Sequence, residues 1–345
     1  MTTLKELSER TGYAPATISR ILSGDPTLLV TQEARRKVLE EAGRSNYIAN
    51  RSRRGRTPKN VLRIGLAEKL TPAQQLEDPY YLYLASFVKQ FCMDKKYACV
   101  PLERHGETFV GRPEDRLDGI IAIGVFSGPQ IDSLAAISPC IVFVDSSPLE
   151  ERFDSVVLGF ELGISLALEH LLDKGHRQIG FIGPSFNLNE RHCRAPEIRR
   201  THFIRLMKER GLLREELLLE CEMEMQSTHA AVTDFLRGGT ALPTAFICAN
   251  EESAVGALTA LKENGLRVPE DISIVSFNDT PKSVLVEPAL TSVSTHVEEM
   301  SRTALRMLSE RVSISGNDPI RTIPLKVIVP PSLAVRASSG PARRL

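Results

Sequence analysis

Three side chains able to hold a nucleic acid stand within four positions of one another. Thr17, Ser19 and Arg20 lie in the segment PATISRIL, residues 15–22. A guanidinium makes paired hydrogen bonds to guanine in the major groove, and hydroxyls hold backbone phosphates. Pro15 and Ala16 open the segment and offer only apolar contact, to thymine methyls or to groove shape. The charge distribution favours such a partner. The 345-residue chain carries no net charge, yet residues 1–59 hold twelve Lys and Arg against six Asp and Glu, leaving +6 there and −6 elsewhere. A basic head on an acidic body suits a polyanion, although a merely solvated basic surface has the same composition.

Those residues need a scaffold, and the flanking sequence supplies one. Leu4 and Leu7 have helical spacing, and Thr3 with Glu6 forms a capping box. Gly12 ends that helix, and Pro15 suits the first position of the next because its missing N–H has no intrahelical partner there. Ile18 and Leu22 face inward, and Gly24 stops the second helix. A third helix follows, capped by Thr31, with Val38, Leu39 and Ala42 as its apolar side. This pattern predicts an all-α helix-turn-helix head over residues 1–48; a helical hairpin used for protein contacts is the alternative. Residues 49–60, ANRSRRGRTPKN, are basic and contain Gly and Pro, which reads as a hinge or linker.

From residue 61 the periodicity changes. Apolar, β-rich runs at 61–67, 97–102, 119–123, 140–145, 178–183, 245–249 and 272–277 alternate with helical stretches. Such alternation predicts an α/β core of parallel sheets with helices on both faces. The elements are too many for one comfortable sheet, so two similar lobes are expected within 61–340. The first is assigned residues 61–158 and 290–322, the second 159–289 and 323–340.

Other chemistries find little support. No G-x-S-x-G, P-loop, H-E-x-x-H or post-strand G-x-G-x-x-G occurs, so no enzyme is expected. The six cysteines form no C-x-x-C and read as reduced, buried thiols. His192, Cys193 and His202 are the nearest approach to a metal cluster, and ordinary packing explains them better. No metal or cofactor is expected. The opening residues lack an apolar signal region and no run reaches the length of a membrane span, which predicts a cytoplasmic protein without a membrane partner. A transporter's solute receptor, sharing such a core, is disfavoured by the same opening and by the basic head.

The residues carry a wider resemblance. TLKELSERTGYAPATISRILSG, residues 3–24, resembles the DNA-binding head of the lactose/galactose repressor (LacI/GalR) family. So do NYI at 46–48, IGL at 64–66, DGII at 118–121, HRQIGFIG at 176–183, AN at 249–250, VPEDIS at 268–273 and LTSV at 290–293. The resemblance spans essentially the whole chain. It implies a homodimer on pseudopalindromic operator DNA, with a type I periplasmic-binding-protein-like core that holds a small sugar between its lobes. The DNA contacts it implies are Thr3, Pro15, Ala16, Thr17, Ser19, Arg20, Asn46, Tyr47, Asn50, Arg51, Arg54 and Arg56.

The effector residues it implies are Asp78, Tyr80, Tyr81, Asp145, Phe160, Arg199, Asn250, Asn278 and Asp279. Carboxylates accept from sugar hydroxyls, Arg and Asn donate, and an aromatic ring stacks on the apolar sugar face. For Asp78 and Asp145, helix capping at strand–helix loops is the alternative to the ligand reading. DPTLLV at 25–30, DPYY at 78–81 and the short stretch between Leu102 and Leu117 resemble galactoside-type members, pointing to galactose or a β-galactoside. Family members that sense catabolic sugars mostly lose DNA affinity on binding them, which implies induction. Two departures stand out. Ala14 occupies the usual N-cap position, a loss typically of about 1 kcal/mol. Arg56, preceded by Gly55, replaces the hinge leucine that relatives wedge into the minor groove, which predicts weaker kinking and stronger salt dependence. The last residues, 337–345, hold no leucine heptads for tetramerisation, so a dimer is expected.

Overall fold

The computed structural model describes residues 4–22, 30–44, 61–111, 116–312 and 318–343. The chain separates into two compact units, Met1–Lys59 and Asn60–Leu345. The first contains α1 (Leu4–Thr11), α2 (Pro15–Leu22) and α3 (Gln32–Arg44). Leu7, Ile18, Ile21, Val38 and Ala42 are buried together, with Tyr13, Leu22 and Val30 packed against them. Ile21 joins this core although its inward role is not evident from i, i+4 spacing alone. Thr31 caps α3 by accepting the Ala34 N–H at 3.2 Å. The Thr3 cap, the Gly24 stop and the whole of 49–60 lie outside the described residues, as does the Leu39 side chain.

The second unit begins with β1 (Arg63–Glu68), α4 (Pro72–Glu77), α5 (Pro79–Asp94) and β2 (Ala98–Pro101). A hairpin follows, β3 (Glu103–His105) with β4 (Thr108–Val110), then β5 (Gly119–Ile123), α6 (Gly128–Ile137), β6 (Ile141–Val144) and β7 (Asp154–Leu158). Next come α7 (Phe160–Asp173), β8 (Ile179–Ile182), a second hairpin of β9 (Phe186–Leu188) and β10 (Arg194–Pro196), α8 (Ile198–Glu209), β11 (Leu218–Leu219) and α9 (Met225–Arg237). The remainder is β12 (Ala245–Cys248), α10 (Glu251–Glu263), β13 (Ser273–Asn278), α11 (Lys282–Leu285), β14 (Thr291–Ser294), α12 (Val297–Arg311), β15 (Lys326–Val329) and β16 (Ser332–Ala334).

Two six-stranded sheets result, in the orders β15-β7-β6-β5-β1-β2 and β11-β8-β12-β13-β14-β16. Pairing is parallel throughout both, except that β16 runs antiparallel to β14 at an edge. Strands β5, β6, β8 and β12 are apolar along their length because both faces are covered. Ile121, Ile123, Val142 and Val144 face a core shared with α5 and α12, while Ile120, Ala122, Ile141 and Phe143 face another. The second sheet repeats the plan. Phe181, Ile247 and Phe277 point to α7 and α8, and Ile182, Phe246 and Ile274 point to α9 and α10. Helices α9 and α10 approach so closely that a Cβ on Gly256 would lie 2.3 Å from the Met225 carbonyl oxygen. Only glycine fits there.

The lobes interleave more than the sequence assignment allows. The sequence reading places residues 290–322 in the first lobe, but β14 lies inside the second sheet; α12 packs on the first, and Arg321 pairs with Asp154 there. Likewise β15, assigned to the second lobe, pairs with β7 of the first. The chain therefore crosses between lobes at 158–160, 294–297 and 329–332, and the crossings adjoin. Gly159 N–H donates to the Val329 carbonyl at 3.1 Å, and His296 Nε2 lies 2.9 Å from Ser332 Oγ. The cysteine expectation also needs correction. Cys92, Cys221 and Cys248 are buried, Cys99 and Cys140 are half-buried, and Cys193 is exposed on the second hairpin.

Candidate functional site

In the head, α2 displays Pro15, Ala16 and Arg20 at the surface, with Thr17 half-buried beside them. The backbone of Ser19 belongs to the same helix, but its side chain lies outside the described residues, as do Thr3, Asn46, Tyr47, Asn50, Arg51, Arg54 and Arg56. Burial of Ile18 and Ile21 fixes which face of α2 turns outward.

The core contains a cavity of about 710 Å³ between the two sheets. Much of its wall follows parallel strands, where chain direction leaves loops free to meet a ligand. Asp145 comes directly after β6 with φ of +68°, a left-handed conformation that turns its carboxylate out of the strand. Oδ1 accepts from the Tyr80 hydroxyl at 3.2 Å and Oδ2 from the Tyr81 hydroxyl at 2.7 Å. Burial pushes this carboxyl up to about 6, against the pull of both phenols. The two tyrosine rings meet edge-on with centroids 5.1 Å apart, and burial raises both phenols well above their ordinary range. Asp78 lines the same wall and caps α5, accepting the Tyr80 N–H at 3.3 Å. Its two readings, cap and cavity residue, hold together. Burial raises its carboxyl also.

The opposite wall is cationic. Arg199, on α8, donates from Nε to Glu197 at 2.7 Å and from Nη1 to the Ala249 carbonyl at 2.6 Å. Burial works against its charge, but Glu197 outweighs this and raises the guanidinium pKa. The guanidinium also lies over the Phe160 ring, 5.1 Å from its centroid. Asn250 follows β12 and caps α10; Oδ1 accepts the Ser253 N–H at 2.9 Å, and Nδ2 donates to the Met223 carbonyl at 3.0 Å. Asn278 ends β13 at φ of +101° and lines the cavity.

Asp279 departs from the expectation. It does not line the cavity; Arg336 Nη2 donates to its carboxylate at 2.6 Å, and its own N–H donates to Ser292 Oγ at 3.1 Å. The left-handed turn at Asn278 separates the roles of these two neighbours. Other lining residues escaped the sequence reading. Lys69 follows β1 and donates to Gln130 at 2.8 Å, its ammonium pKa lowered by burial. Glu150, Lys326 and residues 187–191 of the second hairpin complete the lining. No local pattern marks them, because polar hairpin residues read as an ordinary loop and Lys326 arrives from a distant strand.

Comparison with known proteins gives this architecture a lineage. Residues 168–339 match a periplasmic binding protein-like domain. The HTH-type transcriptional repressor MelR of Bacillus subtilis (strain 168) is 31% identical over 348 residues, covering 99% of this chain and 98% of MelR. The chain belongs to the LacI/GalR family of transcriptional regulators. Two solved structures share the regulator's fold. A lac repressor dimer bound to operator and the anti-inducer ONPF superposes with a TM-score of 0.67 at 23% identity, covering 98% of this chain and 99% of that one. A transcriptional regulator CelR–cellobiose complex gives 0.64 at 22% identity, covering 98% and 100%. As in other LacI/GalR regulators, the activity is control of transcription and not catalysis. Among the described residues no His, Cys, Asp or Glu group could hold a metal ion, and no helix is long and apolar enough to cross a membrane.

Proposed function

We propose that this LacI/GalR regulator is a cytoplasmic, homodimeric repressor whose affinity for operator DNA is controlled by galactose or a β-galactoside bound between the core lobes. The observation that carries the sugar reading is the composition of the cleft. Buried carboxylates and phenols on one wall face a guanidinium, two amides and an aromatic ring on the other. A polyol satisfies both walls, since each hydroxyl donates once and accepts twice. The CelR–cellobiose and lac repressor–operator complexes, on the same fold, support a sugar in the cleft and DNA on a dimer.

In the head, the exposed Arg20 on α2 and the basic residues through Arg56 are assigned to the operator. Val284 and Leu285, exposed at 55% and 81% on α11, fit a self-association surface. The sugar acts by favouring a lobe arrangement that the operator does not, so it induces. Such coupling is reciprocal and of the order of 1–3 kcal/mol. Calorimetric titration of the full chain with a sugar panel, with and without duplex from its own promoter region, tests the reading. Tighter binding of galactosides, weakened by the duplex, is expected. Response only to a non-galactose sugar overturns the effector assignment, and no preference for promoter over random duplex overturns the operator assignment.

A further inference from the structure

One buried carboxylate stands just outside the cleft. Glu251 opens α10, directly after Asn250, and does not line the cavity. It is 2% exposed. Its place is fixed, because Asn250 caps α10 through the Ser253 N–H and the close approach at Gly256 seats the helix against α9. A helix N-terminus favours negative charge. Oε1 accepts the Thr280 N–H at 2.8 Å and also the Ser283 hydroxyl, and Oε2 accepts the Thr280 hydroxyl at 2.6 Å. All three donors are neutral. Burial pushes the carboxyl pKa up, and these donors pull against it.

What Glu251 holds is the loop 278–283, which leaves β13 in an unusual conformation. Asn278 and Asp279 both have positive φ, +101° and +55°. Consecutive left-handed residues other than glycine persist only where surrounding contacts over-determine them, and such strain gathers at ligand-holding segments. Arg336, just past β16, braces the turn through Asp279 in a partly solvated pair. Glu251 supplies the buried brace, with two bonds to Thr280, two residues beyond Asn278, and one to Ser283. Thr295 Oγ1 donates to the Asn278 carbonyl at 3.0 Å, and Asn278 itself lines the cavity. We infer that Glu251 is a positioning residue for effector recognition: without touching the sugar, its carboxylate holds the loop so that the Asn278 amide meets a ring hydroxyl. This inference rests on the sugar reading above and extends its machinery to a residue behind the cleft wall.

A double-mutant cycle on the full-length protein tests it, with wild type, Glu251→Gln, Asn278→Gly and the two combined. Each is titrated with whichever of galactose, lactose, glucose and cellobiose binds wild type, and each is melted alongside. Glycine suits the positive φ at 278, so that variant removes the amide and keeps the turn. Glutamine keeps the shape of Glu251 but replaces one acceptor with a donor. Glu251→Gln is expected to weaken sugar binding about three- to ten-fold, the worth of one neutral hydrogen bond. It should cost nothing further once the Asn278 amide is gone. Thr280→Val removes one donor and keeps the carboxylate; it should lower affinity by less, and it takes its place in the cycle if Glu251→Gln does not fold. Unchanged sugar affinity in Glu251→Gln, whatever the melting temperature, makes Glu251 a purely structural group and overturns the inference while the sugar reading stands. Losses that add in the double variant overturn it likewise. If none of the four sugars binds wild type, both fall.

Discussion

The first lobe gives the cleft Asp78, Asp145 and the phenols of Tyr80 and Tyr81, whereas the second gives it Arg199, Asn250, Asn278 and the Phe160 ring. Both sets hang from the carboxyl ends of six-stranded sheets built on the same plan. Shared topology therefore sets where the walls are, not what they are made of. Their energetics also differ. Arg199 is neutralised within its own lobe by Glu197 and anchored to the Ala249 carbonyl. Asp145 accepts hydrogen bonds from two neutral phenols and feels Arg199 across the cleft, and burial still pushes its carboxyl up to about 6. One wall is paired within its own lobe before a ligand arrives, and the other holds a desolvated carboxylate that a ligand's hydroxyl can hydrogen-bond.

That contrast is open to direct attack. Arg199→Ala should cost about 3 kcal/mol of stability, because it strands the buried Glu197 carboxylate. Thermal unfolding followed by circular dichroism reads this, and an unchanged melting temperature would contradict the view of the second wall as internally paired. Asp145→Asn should behave oppositely. It removes a desolvated charge, so stability holds or rises, while sugar affinity falls roughly ten- to a hundred-fold, the worth of a hydrogen bond to a charged group. Calorimetry and melting on the same sample measure the two effects, and a joint loss of both would erase the distinction between the walls.

Acidity separates them more gently. The Asp145 carboxyl stands at about 6 in the folded protein against an ordinary 3.8. The native state thus takes up this proton first, and the group's stabilising contribution is full below 3.8 and lost as pH rises through 6. Sugar binding needs the ionised acceptor, so affinity should decline as pH falls through 6 even though this group then favours the fold. Titrations on either side of that value check the direction. The smallest effect is expected from Asp279→Asn. It weakens the pair with Arg336, which costs about 1 kcal/mol, and leaves sugar affinity where it was. A sharp loss of sugar binding would return Asp279 to the cleft.

Much of this was legible in the residues. Continuous runs such as IVFV and AFIC announce strands buried on both faces, and the spacing of Leu7, Ile18 and Val38 announces a three-helix head. The strand-end positions of Asp145 and Asn250 followed from the same runs. What stayed hidden depends on distant partners. Nothing local in TSVS shows that β14 inserts between β13 and β16, nor that β15 returns to the first lobe. The stretch after Leu102, short of a helix, folds as a hairpin of mostly exposed residues without an apolar stripe to mark it. Asp279 shares its neighbour's chemistry, and only the backbone turn at Asn278 sends the two apart.

The three adjoining passages of chain between the lobes have a mechanical meaning. Two plates pinned along a single line fold about that line and resist sliding past each other. The bonds from Gly159 to Val329 and between His296 and Ser332 hold the pins together, so bending there has one easy axis. A molecule wedged beyond the pins works with leverage. A displacement of a fraction of an ångström beside Asp145 and Arg199 grows with distance from the axis, so the lobes' far ends travel farthest. Under the proposed function, such gearing would translate occupancy of a small cleft into a swing of whole lobes.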